Sequence, residues 1–244
     1  MRVALLALAF ALVAPPALAQ DDGEPPPLHA RPTSGEASLF SGRTLGVGET
    51  MVAGGVGWPG LFAMFQHAVT SSFNLGARAG LTYGSPMMAL VPAVGAELGA
   101  PIRIHLYGEG DVDLAAYLEP VLALSEGAAA GELGTVYAGD LGWSSRLELG
   151  AVLGLRVQER LTLLAGAGGH VGFVHVPAAG DPTVVGAALA RFGIEGLISR
   201  DTMLFAVIDG GIGFAADRGP GAPVFDAGLV SGLFRVALGL GYLL

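Results

Sequence analysis

The sequence contains no cysteine, which excludes disulfides, thiolate metal sites, a cysteine nucleophile and a lipid-modified cysteine. It contains no lysine either. All twelve basic residues are arginine, a bias that follows base composition and carries no further reading. Charged residues make up 14% of the chain and aromatics 7%. The net charge is −9, becoming −10 once Arg2 leaves with a leader. Nucleic acid is therefore not an expected partner, because phosphate binding needs a basic surface. Long apolar runs of helical length are also missing after the N-terminus: the best candidates are interrupted by Glu97, His170 or Asp209, and a spanning helix needs about 20 apolar residues.

What is present is hydrophobicity without helix formers. The chain is 52% hydrophobic with mean hydropathy +0.61, yet holds 40 Gly and 15 Pro, the two poorest helix formers. Only helices and closed barrels satisfy every backbone group in lipid. An apolar chain without membrane helices is thus expected to be a closed barrel.

The strand signal is direct. Along Ser72–Tyr83, Phe73, Leu75, Ala77, Ala79, Leu81 and Tyr83 alternate with Asn74, Gly76, Arg78, Gly80 and Thr82, the period of two of a strand with one apolar and one polar face. Along 144–157, Leu147, Leu149, Ala151, Leu153, Leu155 and Val157 oppose Arg146, Glu148, Gly150, Gly154 and Arg156. The pattern predicts strands near 48–58, 61–70, 72–84, 88–106, 112–125, 144–157, 160–175, 183–198, 202–215 and 226–244. That makes an all-β, antiparallel, up-and-down transmembrane β-barrel of about 10 strands, or 8 if 61–70 or 48–58 does not span. The 61–70 segment alternates poorly. Pro92 and Pro101 cannot donate to a ladder and predict a bulge, bend or early end in 88–106.

Residues 1–19 carry Arg2, an apolar run from Val3 to Val13 and Ala17-Leu-Ala19, the layout of a cleaved secretory signal peptide. The mature chain is expected to begin near Gln20. Residues 20–43, with Asp21, Asp22, Glu24 and a run of prolines, read as a flexible polar N-terminal segment outside the core. Residues 44–244 are expected to form the barrel. Tight turns at Thr70–Ser72, Gly108–Asp111, Gln158–Arg160 and Ser199–Thr202 alternate with longer links at 126–143, 176–183 and 216–225. Short periplasmic turns and longer outer loops are the habit of outer-membrane barrels. The long links carry Glu126, Glu132, Asp140, Asp181 and Asp217 against Arg218, so the outer rim is expected to be acidic.

With the apolar face toward lipid, the lumen holds Arg78, Arg103, Arg146, Arg156, Arg191 and Arg235 with Glu97, Asp113, Glu119, Glu148, Glu195 and Asp209. Such a charge network reads either as an ion-paired plug that holds the wall together or as a polar lining past which solutes move. Gly76, Gly80, Gly95, Gly99, Gly150, Gly154, Gly166 and Gly168 also face inward, and are expected to leave volume for a thin aqueous path. Trp58, Phe73, Tyr83, Trp143, Phe173, Phe214 and Tyr242, near strand ends, are candidates for interfacial girdles. Catalytic signals are weak. His29, His67, His105, His170 and His175 form no metal-ligand pattern, and no Gly-x-Ser-x-Gly elbow exists. Gly166–Gly172 lacks the strand-to-helix setting of a dinucleotide loop. No cofactor, metal or enzymatic activity is expected; a hydrolase built on Ser231 and His170 is the least favoured alternative.

Taken together, the signal through Ala19, the alternating strands and a last strand ending Tyr242-Leu-Leu244 resemble the small outer-membrane β-barrel proteins of Gram-negative bacteria, within the broad porin-like superfamily. Many of those proteins end on an aromatic residue read by the barrel-assembly machinery, whereas this chain ends on Leu244 with Tyr242 two residues back. The resemblance implies outer-membrane localisation, with membrane lipid and the assembly machinery as partners. The functions it leaves open are a narrow small-solute pore, a structural membrane protein, or a surface adhesion barrel with acidic loops. It transfers no functional residue.

Overall fold

The computed structural model describes residues 38–84, 94–126, 141–175, 177, 182–216 and 231–244. The expected signal peptide, residues 20–37, His29, residues 226–230, the acidic link residues Glu132, Asp140, Asp181 and Asp217, and the basic Arg218 lie outside the described residues, as do the side chains of Glu126 and Ser231. Eleven strands are present: β1 (Thr50–Trp58), β2 (Gly60–Thr70), β3 (Phe73–Thr82), β4 (Gly95–Gly99), β5 (Ile102–Glu109), β6 (Val112–Glu126), β7 (Leu141–Gln158), β8 (Leu161–His175), β9 (Thr183–Leu197), β10 (Thr202–Ala216) and β11 (Ser231–Leu243).

All neighbours pair antiparallel, and β1 closes the sheet on β11 from Met51↔Leu243 to Trp58↔Val236. β4 and β5 both lie between β3 and β6, so the eleven strands make a closed barrel of ten staves. The expectation of ten holds, and the eight-strand alternative does not. The stave expected as one strand over 88–106 is divided at Ala100–Pro101. Pro101 has no N–H to give, but its carbonyl still accepts from Gly76 N at 2.9 Å, while Ala100 N donates to Pro120 O at 3.1 Å. A residue's N–H and C=O point to the same side in an antiparallel ladder. The donor missing at Pro120 therefore faces the same break, and two prolines share one interruption.

Strand parity sorts the faces. On every stave two or more large apolar side chains point outward and stand exposed, for example Val52 and Val56, Leu61 and Phe65, Leu149 and Leu153, Leu204 and Ile208, or Leu238 and Leu240. Leu98 is 65% exposed, Leu122 62% and Phe192 61%. Tyr83, Trp143, Phe173 and Phe214 stand exposed near one rim and Tyr242 near the other. The poor alternation of β2 has a physical reason: Phe62, Met64 and Ala68 turn inward while Leu61, Phe65 and Val69 turn outward, so both faces are apolar and the period vanishes.

The two ends differ. Tight turns join β2–β3, β5–β6, β7–β8 and β9–β10 at the end that also holds Thr50 and Leu243; there Gly110, at φ 58°, takes the left-handed conformation that glycine enters without steric cost. This short-turn end is packed solid. Leu39, Leu45, Met51, Met64, Leu164, Met203 and Phe205 form one buried apolar cluster inside the barrel. Residues 38–43, expected to lie outside the core with the rest of the lead-in, enter the barrel: Ser38, Leu39 and Ser41 are 3%, 1% and 1% exposed. Phe40 packs on Phe205 with centroids 4.9 Å apart, and Phe62 stacks on the same ring. A ten-stave wall is too wide for its own side chains to fill, and the chain supplies the remainder.

Candidate functional site: the lumen

Because side chains alternate along each strand, the charges spaced two apart in sequence share the inner face. All twelve residues expected to line the lumen sit on strands at inward positions. Six of them form one continuous chain. Glu119 on β6 accepts from Arg78 Nε on β3 at 2.7 Å, and Arg78 also pairs with Glu97 on β4. Glu97 receives Arg146 Nη2 on β7 at 2.8 Å; Arg146 Nε reaches Glu148 at 2.9 Å; Glu148 receives Arg235 Nη1 on β11 at 3.0 Å. The last contact joins staves separated by β8, β9 and β10 and so crosses the lumen.

A second cluster lies beside it. Arg191 donates two parallel bonds to Asp209, 2.7 and 2.8 Å, and its guanidinium stands 5.0 Å from the ring centroid of Tyr117. A planar arginine fork suits this, since Arg191 satisfies a carboxylate and an aromatic face together.

The remaining members lie toward the short-turn end, and Glu195, Asp113 and Arg103 bind the inserted segment. Glu195 Oε1 accepts Leu39 N at 3.0 Å and Phe40 N at 2.6 Å, and its Oε2 accepts the Ser38 hydroxyl at 2.6 Å. Asp113 receives Arg43 Nε at 2.5 Å. Arg103 Nη1 donates to Ser38 O at 3.3 Å, and the His105 ring bonds Gly42 O at 2.9 Å. Arg156 stands at the same end of β7, half-buried. Sequence reasoning missed Ser38 and Arg43, which sit in a stretch without periodicity, and Tyr117, an aromatic at an inward position of β6.

The inward glycines do not leave a free path. A Cβ at Gly80 would strike Glu97, at Gly99 Glu119, at Gly95 Ser125, at Gly76 Phe65 O and Gln66, at Gly166 Val152, and at both Gly150 and Gly168 the Tyr117 hydroxyl. At Gly154 it would meet Ser41 Cβ at 2.9 Å. Each glycine gives its volume to a neighbour's side chain or to the inserted segment, which corrects the expectation of unfilled space. What stays open is a cavity of about 240 Å³ lined by Trp58 and Pro59 at the long-link rim, by Arg78, Glu148 and Arg191 midway, and by Phe40 and Arg103 below.

Among the described residues no three His, Asp or Glu side chains are arranged to hold a metal ion. His170 faces inward on β8 and His175 lies at the opposite parity, and Gly166–Gly172 is continuous strand. No family model matches the sequence, and no curated protein matches it. Among solved structures, the chain is similar to Ail, the attachment invasion locus protein of Yersinia pestis, at 10% identity and a TM-score of 0.29, covering 80% of this chain and 94% of that one. It is similar at the same identity, TM-score and 80% coverage to a ΔS2S3 mutant of TodX, a monoaromatic hydrocarbon channel, over 88% of that chain. At these values neither likeness bears on what the chain does.

Proposed function

We propose that this protein is an outer-membrane β-barrel of Gram-negative type, exported through residues 1–19, that serves as a structural membrane protein whose lumen is closed by its own chain. One observation carries the reading: every stave turns apolar side chains outward, while the lumen-facing strand charges turn inward and nine of them form ion pairs. A soluble monomer rarely exposes more than a few hundred Å² of contiguous apolar surface, and here the apolar surface encircles the molecule. Lipid is the solvent that makes such a belt favourable, and a charge-neutral, bonded interior is what a narrow barrel needs there. The structural role is favoured over a standing pore because the mesh braces opposite walls and residues 38–43 fill the short-turn end. The chain has two tryptophans, and Trp143 is exposed on the outer face. Membrane fractionation should place the protein in the outer membrane. In the Trp58→Phe variant, lipids brominated on the acyl chain should quench Trp143; unquenched fluorescence from folded protein, or recovery in the soluble fraction, would overturn the assignment.

A further inference from the structure

The cavity passes the charge mesh and ends on the inserted segment. Its lining runs from Trp58 and Pro59 at the long-link rim, past Arg146 and Arg235, to Phe40, Gln66 and Arg103. The cavity thus borders the mesh along its length, and Phe40 of the segment Ser38–Arg43 stands at its lower end. The wall is shaped to this segment: Gly154 faces Ser41 and Gly42, Gly241 faces Leu39, and a Cβ at Gly42 would strike the Asp113 backbone.

The seat is also one that water opposes. Gln66 Oε1, both polar atoms of the Asn74 amide and Arg103 Nη2 are buried without a hydrogen-bond partner. Asn74 and Arg103 are direct cross-strand partners, Gln66 lies diagonally across the β2–β3 ladder, and Arg103 touches the segment itself. Buried polar atoms left unbonded cost free energy that hydration returns. The segment is held by bonds to Glu195, Asp113, Arg103 and His105 and by burial of Leu39 and Phe40 in the apolar cluster, and the desolvated polar groups near Arg103 oppose that hold.

From this we propose that Ser38–Arg43 is a displaceable stopper, and that the barrel conducts small hydrophilic solutes and ions when it leaves. The inference rests on the membrane-barrel reading. Once the segment moves, Glu195, Asp113 and Arg103 lose their bonds to it and are uncovered among the apolar side chains of that end, extending the charged lining of the cavity above. Closure and opening are then alternative states of one lumen, as a population shift requires.

The absence of cysteine allows a clean test. Ser41→Cys with Gly154→Cys sets two Cβ atoms 2.9 Å apart, inside the roughly 3.5 to 4.5 Å of a disulfide, so the bridge forms once the segment shifts by less than an ångström, and these are the only thiols in the full-length chain. Glu195→Ala removes the acceptor of three bonds to the segment, and Gly42→Ala pushes the segment off Asp113 by a different route. In planar bilayers, either single substitution should raise the open probability at least tenfold over the parent. Adding the cysteine pair to either should suppress that current under oxidant and restore it under reductant. Folding and insertion are read separately, from heat-dependent gel mobility and protease resistance in liposomes, so loss of the barrel is distinguishable from loss of the stopper. Three results would overturn the proposal: silence of both opened variants in protein shown to be folded and inserted, failure of the cysteine pair to cross-link in that protein, or current indifferent to reductant.

Discussion

Arg191 and Asp209 face each other as direct partners in the β9–β10 register and meet through two parallel hydrogen bonds of 2.7 and 2.8 Å. Arg235 flanks Asp209 equally closely on the β11 side of the same register, yet it reaches across the lumen to Glu148 instead. The choice spreads the bonding: one carboxylate holds neighbouring staves, and the other joins distant walls.

Asp209→Ala should accordingly cost more than loss of a surface pair. It leaves the Arg191 guanidinium buried without its carboxylate, a change worth about 3 to 5 kcal/mol when the partner is truly enclosed. The double variant Arg191→Met, Asp209→Leu should recover most of that loss, as read by urea unfolding in lipid vesicles. A double variant as unstable as the single one would contradict the pairing.

The outer belt predicts depth dependence. Leu149 lies near the middle of β7 and Leu141 is its first residue. Arginine on the lipid face of a barrel costs about 2 to 4 kcal/mol at the bilayer midplane and about 0 to 1 near the interface. Leu149→Arg should therefore destabilise the folded barrel in vesicles by about 2 kcal/mol or more, and Leu141→Arg hardly at all. Equal effects at the two sites would mean that no hydrocarbon slab surrounds β7.

The borrowed glycine volumes are testable at Gly168. A side chain there would strike the Tyr117 hydroxyl and the backbone of Leu149, moving the ring off Arg191. Gly168→Val should cost about 1 to 3 kcal/mol, the usual penalty of overpacking, by the same unfolding measurement. Tyr117→Phe in the same chain removes the struck oxygen and should relieve part of the cost. An unchanged midpoint for Gly168→Val would show that the space is empty.

The wall was legible in the sequence because its rule is local. Period two from Phe73 to Tyr83 and from Leu147 to Leu155 announces both strand and face without knowledge of partners, and parity alone turned every one of the twelve charges inward. Pairing was not legible: Arg235 meets Glu148 only because closure brings β11 opposite β7, a relation with no trace in sequence distance. Residues 38–43 escaped for a similar reason. Ser38, Ser41 and Gly42 look like a linker until Glu195 is in front of them, and Gly154 looks like spare volume until Ser41 occupies it. The period of β2 failed because Phe62 and Met64 serve an interior that is apolar at this end, whereas the alternation rule assumes a polar lumen.

A planar-bilayer recording of the unmodified protein tests most directly whether the barrel is braced by its ion pairs and closed by its own chain. Protein shown to be folded and inserted should carry no steady current, only brief and infrequent openings at moderate voltage. A stable ohmic conductance present from the moment of insertion would contradict the closed lumen and return the protein to the class of standing pores.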